Sequence, residues 1–288
     1  MNRPNSLALS AVFALAQLAT SSQVFADPIL GSALATFSVL GGATVTNTGA
    51  TTLTGDLGVA PGTAITGKAS ITVNGTNAAT LGNPFVHESD ALANLAQNQL
   101  VIAQTNLALM GPGTLLPMDL AGLTLSPGVY TVPAGVTNLS GTLILNGQGN
   151  ADAFWLFQLP STLITSPGSV VDVVNTGAGA GLYWNVGSSA TLDTTTSFQG
   201  NILALASISL NTGATIGCGR ALAHTAQVSM DANTVSVGCE GTGEEGSYGL
   251  SGRGDFNASP VPEPGTMVLL GTGLAWAAAR RRKNQPIL

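Results

Sequence analysis

The sequence predicts a mainly β protein, a β-helix of stacked coils with one long α-helix packed alongside. Three observations predict it. The first is a repeat: Leu192-Asp193-Thr194-Thr195-Thr196-Ser197-Phe198, Leu210-Asn211-Thr212-Gly213-Ala214-Thr215-Ile216 and Met230-Asp231-Ala232-Asn233-Thr234-Val235 share one pattern, with starts 18 and 20 residues apart. A large apolar residue is followed by Asp or Asn, then small and hydroxyl residues, then an apolar residue. A weaker copy begins at Leu163, and each copy follows an apolar run such as Phe154-Trp155-Leu156-Phe157 or Ile202-Leu203-Ala204-Leu205. The second is the punctuation: short alternation broken by Gly, Asn and Asp favours strands and corners over amphipathic helices. The third is a single interruption at 84–110, where the pattern turns helical. A repeat near 20 residues cannot bury its apolar side alone, so copies must stack. Three short strands plus corners account for one coil at ~3.3 Å per residue.

Composition agrees with this and excludes one class of partner. Of 288 residues 44% are hydrophobic and only 8% charged, with 37 glycines. Apolar content is ample for a core, so low charge does not signal disorder here. Between Asp27 and Ser259 there are thirteen acidic residues against Lys68, Arg220 and Arg253, leaving that body near −10. Nucleic acid is not an expected partner, because phosphate requires a basic footprint.

Taken in order, residues 1–26 read as a signal peptide. Arg3 gives the basic end, Leu7 to Ala19 the apolar stretch, and Val24-Phe25-Ala26 a cleavage site before Asp27. Residues 27–239 form the solenoid domain. Its front carries Asn-Thr-Gly-Ala-Thr at 47–51, which recurs identically at 211–215, so coils of the same kind are expected there. The interruption at about 84–110 is rich in Ala, Leu, Gln and Asn without internal Gly or Pro. Asn83-Pro84 is expected to start the helix, Glu88 and Asp90 to sit in its early turns, and Gly111-Pro112-Gly113 to stop it. Leu92, Leu95 or Ala96, Gln99 or Leu100, Ile102 or Ala103, and Leu107 form its apolar side. Residues 240–260, Gly-rich and acidic, read as a flexible linker. In 261–288, Pro262-Glu263-Pro264 precedes an apolar stretch from Thr266 to Ala279 and the cluster Arg280-Arg281-Arg282-Lys283. That stretch is short for a spanning helix, yet the basic run after it fits a stop-transfer segment.

These features together resemble one family. Val45-Thr46-Asn47-Thr48-Gly49, Thr54-Gly55-Asp56-Leu57-Gly58, the helix, Leu125-Ser126-Pro127-Gly128-Val129-Tyr130, Phe157-Gln158-Leu159, Asn201-Ile202-Leu203-Ala204 and Gly219-Arg220-Ala221-Leu222 are similar, in order, to the microbial ice-binding proteins. That family is built as a discontinuous right-handed β-solenoid with one long helix alongside. The resemblance covers roughly 29–239 and implies that fold, with ice or ordered water as the partner. The tail resembles the Pro-Glu-Pro carboxy-terminal sorting signal of exopolysaccharide-producing Gram-negative bacteria. It implies an exported, secreted or cell-surface protein with transient or stable membrane anchoring, handled by sorting machinery through Pro262, Glu263, Pro264, Arg280, Arg281 and Arg282.

Threonine is the candidate chemistry. Thr194, Thr196, Thr212, Thr215 and Thr234 recur at like positions, and Thr48 and Thr51 fall in the matching segment near the front. Thr presents a stiff side chain with one methyl and one hydroxyl. Coils ~4.8 Å apart, with same-face residues ~6.6 Å apart, would make a grid able to hold surface water in fixed places. The family's small Thr-Gly/Ala-X-Thr/Asn signature is matched at 48–51 and 212–215. Thr is equally at home on any strand surface, so the bland alternative stands beside this one. Asp193, Asn211 and Asp231 form a second ladder, read as corner residues bonding their own turns more than as a carboxylate pair for sugar cleavage or a calcium site. His87 and His224 carry no Ser-His-Asp or metal-ligand spacing. No cofactor and no catalytic residue is expected, and the protein is read as a binder and not an enzyme. An alternative function is an exopolysaccharide-matrix or adhesion protein using the same hydroxyl face; a β-helix polysaccharide enzyme is the weakest reading. Cys218 and Cys239, 21 residues apart and so about one coil, are expected to form a disulfide in an exported chain.

Overall fold

A computed structural model describes residues 29–239, 244–245 and 247–252. Its strands make coils with three sides, so one turn of chain passes through three strands before it stacks on its neighbour. In one coil these are Phe154–Leu159, Leu163–Thr165 and Val170–Val174. In the next they are Gly181–Val186, Ala190–Leu192 and the start of Ser197–Ala204. Corresponding strands pair in parallel register, for example Phe157↔Trp184 and Leu163↔Ala190. One side is a seven-stranded sheet; the other two belong to a sixteen-stranded sheet that turns a corner.

The stacking order is not the chain order. The seven-stranded sheet runs Thr137–Leu139, Leu163–Thr165, Ala190–Leu192, Ile208–Leu210, Val228–Asp231, Thr44–Thr48, Ala64–Ile65. The first coil of the chain therefore lies against the last, with Thr46↔Ser229 and Val39↔Ala221 in register. The solenoid is discontinuous, as the sequence resemblance implied. At the Ala64–Ile65 end, the hairpin of Ile71–Val73 with Thr76–Asn77 turns antiparallel and closes a strand edge that would otherwise stay open.

The interior is apolar and partly aromatic. Tyr130, Phe157 and Trp184 occupy one register position on successive coils, and the Phe157 and Trp184 rings stack at 4.1 Å. A second apolar layer lies outside one side, where Phe37, Leu40, Leu156, Tyr183, Leu203 and Leu222 are covered by two helices. These are α1, Gly31–Leu34, and α2, Ala91–Leu109. Of the paired alternatives on α2, the buried members are Ala96, Leu100 and Ala103, together with Ala93 and Leu107; Leu95 and Ile102 face outward. Small alanines let the helix lie close to the sheet. Amides then rivet it: Gln97 Nε2 donates to Gly41 O and Ala223 O at 3.1 Å, and Gln158 Nε2 donates to Leu107 O at 2.5 Å. Gln99 Oε1 accepts from Ala33 N and Leu34 N, which ties α1 to α2.

Two boundaries differ from the sequence expectation. The helix begins at Ala91, not near Pro84, because Val86–Glu88 pairs as a strand with Asp56–Val59. Asp90 is the N-cap, and its side chain accepts from Ala93 N at 2.9 Å. Helical propensity over 84–90 loses to that pairing. The second difference lies in the stretch expected as a linker: residues 247–252 pack against the solenoid, with Leu250 fully buried. The signal peptide, the sorting residues and the apolar stretch at 266–279 lie outside the described residues. Among the described residues no helix is long and apolar enough to cross a membrane. The cysteines are joined, with Cys218 and Cys239 at a Cα–Cα distance of 4.4 Å.

Candidate functional site

The three sides of the coil meet different surroundings. One lies beneath α1 and α2. Among the described residues the seven-stranded sheet carries no covering element, and the third side is covered near Glu244, which is 1% exposed; strand alternation sends every second residue outward. On the seven-stranded sheet Thr191, Ser209, Ser229 and Thr46 share one outward position on four successive coils. One step toward the strand starts are Ser189, Ser207, Gln227 and Thr44; one step the other way are Asp193, Asn211, Asp231 and Thr48. All are half-exposed or exposed. The result is a grid four coils wide and three positions deep, ending at Ile164 and Asn138 on the next coils. Among the described residues, the hydroxyls of Thr46, Thr191, Ser209 and Ser229 have no protein partner, which leaves their hydrogen-bonding capacity for water.

Beside the grid the chain turns the corner to the third side, and the corner is also stacked. Gly168, Thr195, Gly213, Ala232 and Gly49 all have positive φ, between 53° and 73°. They align through Thr195 N donating to Thr212 O, Gly213 N to Asp231 O and Ala232 N to Thr48 O. Glycine meets this left-handed requirement without strain; Thr195 and Ala232 meet it at a cost of about 1–2 kcal/mol each. Asp193 accepts from Asn211 Nδ2 at 2.9 Å and Thr194 N at 2.7 Å, and Thr212 Oγ1 donates to Asp231 Oδ2. The Asn211 amide, then the Thr194 N–H, hold the Asp193 carboxyl below the usual carboxylate range. Asp193 thus bonds its own turn through Thr194 N, and both acids bond the neighbouring coil. A shallow trough between grid and corner is lined by Thr46, Thr48, Thr194, Asn211, Thr212, Ser229 and Asp231, among others.

The structure separates the threonines singled out in the sequence. Thr48, Thr194 and Thr212 stand on the rim of this trough. Thr215 and Thr234 pair with each other on the third side, in a column that continues to Thr52 and Thr72 and, the other way, to Ser197, Val170 and Thr142. Thr51 and Thr196 are a correction. They are 2% and 0% exposed, and their hydroxyls bond Asn47 Oδ1 and Thr165 Oγ1 at 2.7 Å inside the corner. Neither can touch an external surface.

The cause for Thr51 is a one-residue slip between the two identical pentapeptides. Asn47 and Leu210 both pair with Met230, and Thr52 and Thr215 both pair with Thr234, so on the flanking strands 47 and 51 take the places of 210 and 214, although Gly49 and Gly213 share the corner stack. Asn47 therefore points inward, where it donates to Gly49 O and Ser70 Oγ at 3.0 Å. Thr52, not Thr51, is the partner of Thr215, through Thr234. With a side-chain period of two, a slip of one exchanges inside for outside. The grid residues Thr44, Thr46, Thr191, Ser209 and Ser229 were missed for the related reason that the repeat was followed at its corners. The single polar residue between two buried apolar ones, as in Ile208-Ser209-Leu210, was the available signal.

The seven-stranded sheet and the third side are not equivalent. On the third side a single column is rich in hydroxyls; the next carries Ile144, Asp172, Gln199, Gly217, Ser236 and Thr54. Burial, then the charges of Glu245 and Asp172, push the nearby Glu244 carboxyl upward.

Comparison with known proteins agrees with this architecture. Residues 39–236 match the Ice-binding-like family, and residues 260–283 match the PEP-CTERM protein-sorting motif. An ice-binding protein of Nostoc sp. (strain HG1) is 40% identical over 276 residues, covering 95% of this chain and 93% of that protein. The crystal structure of an ice-binding protein from an Antarctic biological consortium superposes with a TM-score of 0.65 at 38% identity, over 73% of this chain and 90% of the other. That of an ice-binding protein from the Antarctic ascomycete Antarctomyces psychrotrophicus gives 0.64 at 34% identity, over 71% and 96%. With this fold, this helix and these relatives, the chain belongs to the Ice-binding-like family.

Proposed function

We propose that this protein binds ice, and that the seven-stranded sheet is the surface it uses. The observation that carries this is the central column of the grid, the half-exposed hydroxyls of Thr46, Thr191, Ser209 and Ser229, in register on four coils and without a protein partner among the described residues. Coils ~4.8 Å apart and outward positions ~6.6 Å apart set its two repeats. Such a surface orders water without chemistry, so no cofactor or covalent step enters. Thr48, Thr194 and Thr212 line its rim; Thr215 and Thr234 lie around the corner and contribute less. The carboxy-terminal motif supports export and display at the cell surface, where the activity restrains ice recrystallisation or holds the cell to ice. Exopolysaccharide is the less favoured partner, because no exposed aromatic ring stands in the grid for a sugar to stack on.

The test uses two bulky substitutions and three readouts: thermal hysteresis, recrystallisation inhibition and partition into growing ice. Ser209→Tyr, at the grid centre, is expected to lose most activity with an unchanged melting temperature. Thr234→Tyr, on the third side, is expected to keep it. The reverse result moves the binding surface to the third side. A wild-type protein inactive in all three readouts removes the ice reading itself.

A further inference from the structure

The chain beyond its last coil does not simply leave the body. Ser251 bridges Gly181 in antiparallel fashion, Leu182 N donates to Leu250 O at 2.9 Å, and Gly252 N donates to Ala180 O at 3.0 Å. Leu250 is fully buried, and Asn201 Nδ2 donates to its carbonyl at 3.0 Å. Arg220, itself fully buried, gathers three parts of the chain. Its guanidinium donates to Ala35 O beside α1, to Asn201 Oδ1 within the coil, and to Tyr248 O and Gly249 O after it. Burial brings its pKa down to about 10, and among the described residues its charge meets carbonyls and no carboxylate. The disulfide touches the same segment, with Gly249 N 3.3 Å from Cys239 Sγ. The docked segment itself, 247–252, lies beyond residue 236, where the family match ends.

The place of attachment matters. Residues 175–180 form the corner between Val170–Val174 on the third side and Gly181–Val186 on the helix-covered side. In a three-sided coil that corner is opposite the seven-stranded sheet. We propose that residues 247–252 are a latch that fixes the departure of the C-terminal tail at this corner, so that a chain held by its tail presents the seven-stranded sheet outward. The presentation half rests on the ice-binding proposal; the latch half does not.

Hydrogen exchange on the full chain tests the latch. The amides of Leu182 and Gly252 are expected to exchange at least tenfold more slowly in the wild type than in Leu250→Asp, which places a carboxylate in the buried site. Equal rates overturn the latch. For presentation, the full chain is coupled to beads through Asn284→Cys in the tail or through Ser209→Cys in the grid. Beads held at 284 are expected to adhere to growing ice at least tenfold better than beads held at 209. If the free chain partitions into ice but the two bead sets adhere equally, the presentation is wrong. If the free chain does not partition, the ice-binding proposal fails and takes the presentation with it, while the exchange rates still decide the latch.

Discussion

The helix-covered side and the seven-stranded sheet are two sides of the same coils, in the same stacking order, with opposite outward faces. In one coil Leu203 points out from the covered side into the layer under α2, while Ser209, six residues later, points out to solvent. On the covered side the outward positions carry large apolar groups, and uncharged α2 seals them. On the open sheet the central column carries Ser and Thr, flanked by Asp, Asn, Gln and further hydroxyls, and among the described residues no element covers them. The backbone geometry is shared, so the difference lies in side chains alone. A solenoid can therefore assign one side to stability and another to a ligand with little interference between the two.

The sharpest way to break this comparison is to place the same charge on both sides. Leu203→Asp is expected to cost more than about 4 kcal/mol in a denaturant titration, because a carboxylate would be buried without a partner. Ser209→Asp, in the same coil, is expected to stay within about 0.5 kcal/mol while weakening ice partition. Comparable losses of stability would mean that the open sheet is not independent of the core. A smaller effect is expected where the disulfide closes the last coil. Replacing both Cys218 and Cys239 by Ser should cost about 3 kcal/mol in the chain-entropy model for a loop of this length. The loss should appear as fraying near residue 236, visible by hydrogen exchange, with the grid at Ser209 still protected. The smallest effect concerns the start of the covering helix. Asp90→Ala should cost about 1 kcal/mol through loss of the N-cap.

The Asp90 cap also carries a pH signature. Burial raises its carboxyl pKa, but the hydrogen bonds from Ala93 N and His87 outweigh this and leave it below the ordinary value of 3.8. The folded value lies under the unfolded one, so the cap's contribution is complete above the unfolded value. It is lost as pH falls through the folded value. Wild type and Asp90→Ala should thus differ in stability at neutral pH and converge in strong acid, as read from melting temperatures across that range.

Much of the fold was legible in the sequence, because coil length, the helical interruption and the cysteine spacing are local properties. The phase of each coil was less so. It is set by pairing between segments far apart, such as Asn47 with Met230, and no local pattern distinguishes Asn47, which points inward, from Asn211, which points outward. For the same reason Thr51 and Thr196 passed for surface residues. The corner repeats drew attention because they are vivid in the sequence, whereas the grid lies in plain alternations such as Ala190-Thr191-Leu192. The docked segment after residue 246 resembled a linker because its glycines also suit tight left-handed turns, which Gly249 and Gly252 adopt at φ +74° and +68°.

The meeting of the first coil with the last has a consequence for the order of events at the ribosome. Thr44–Thr48 is among the first strands made, and one of its permanent neighbours, Val228–Asp231, is among the last. Until that neighbour emerges, the early strand has an open edge. Closing contacts between such distant residues is slow compared with local contacts. The solenoid is therefore finished only when nearly the whole chain is available.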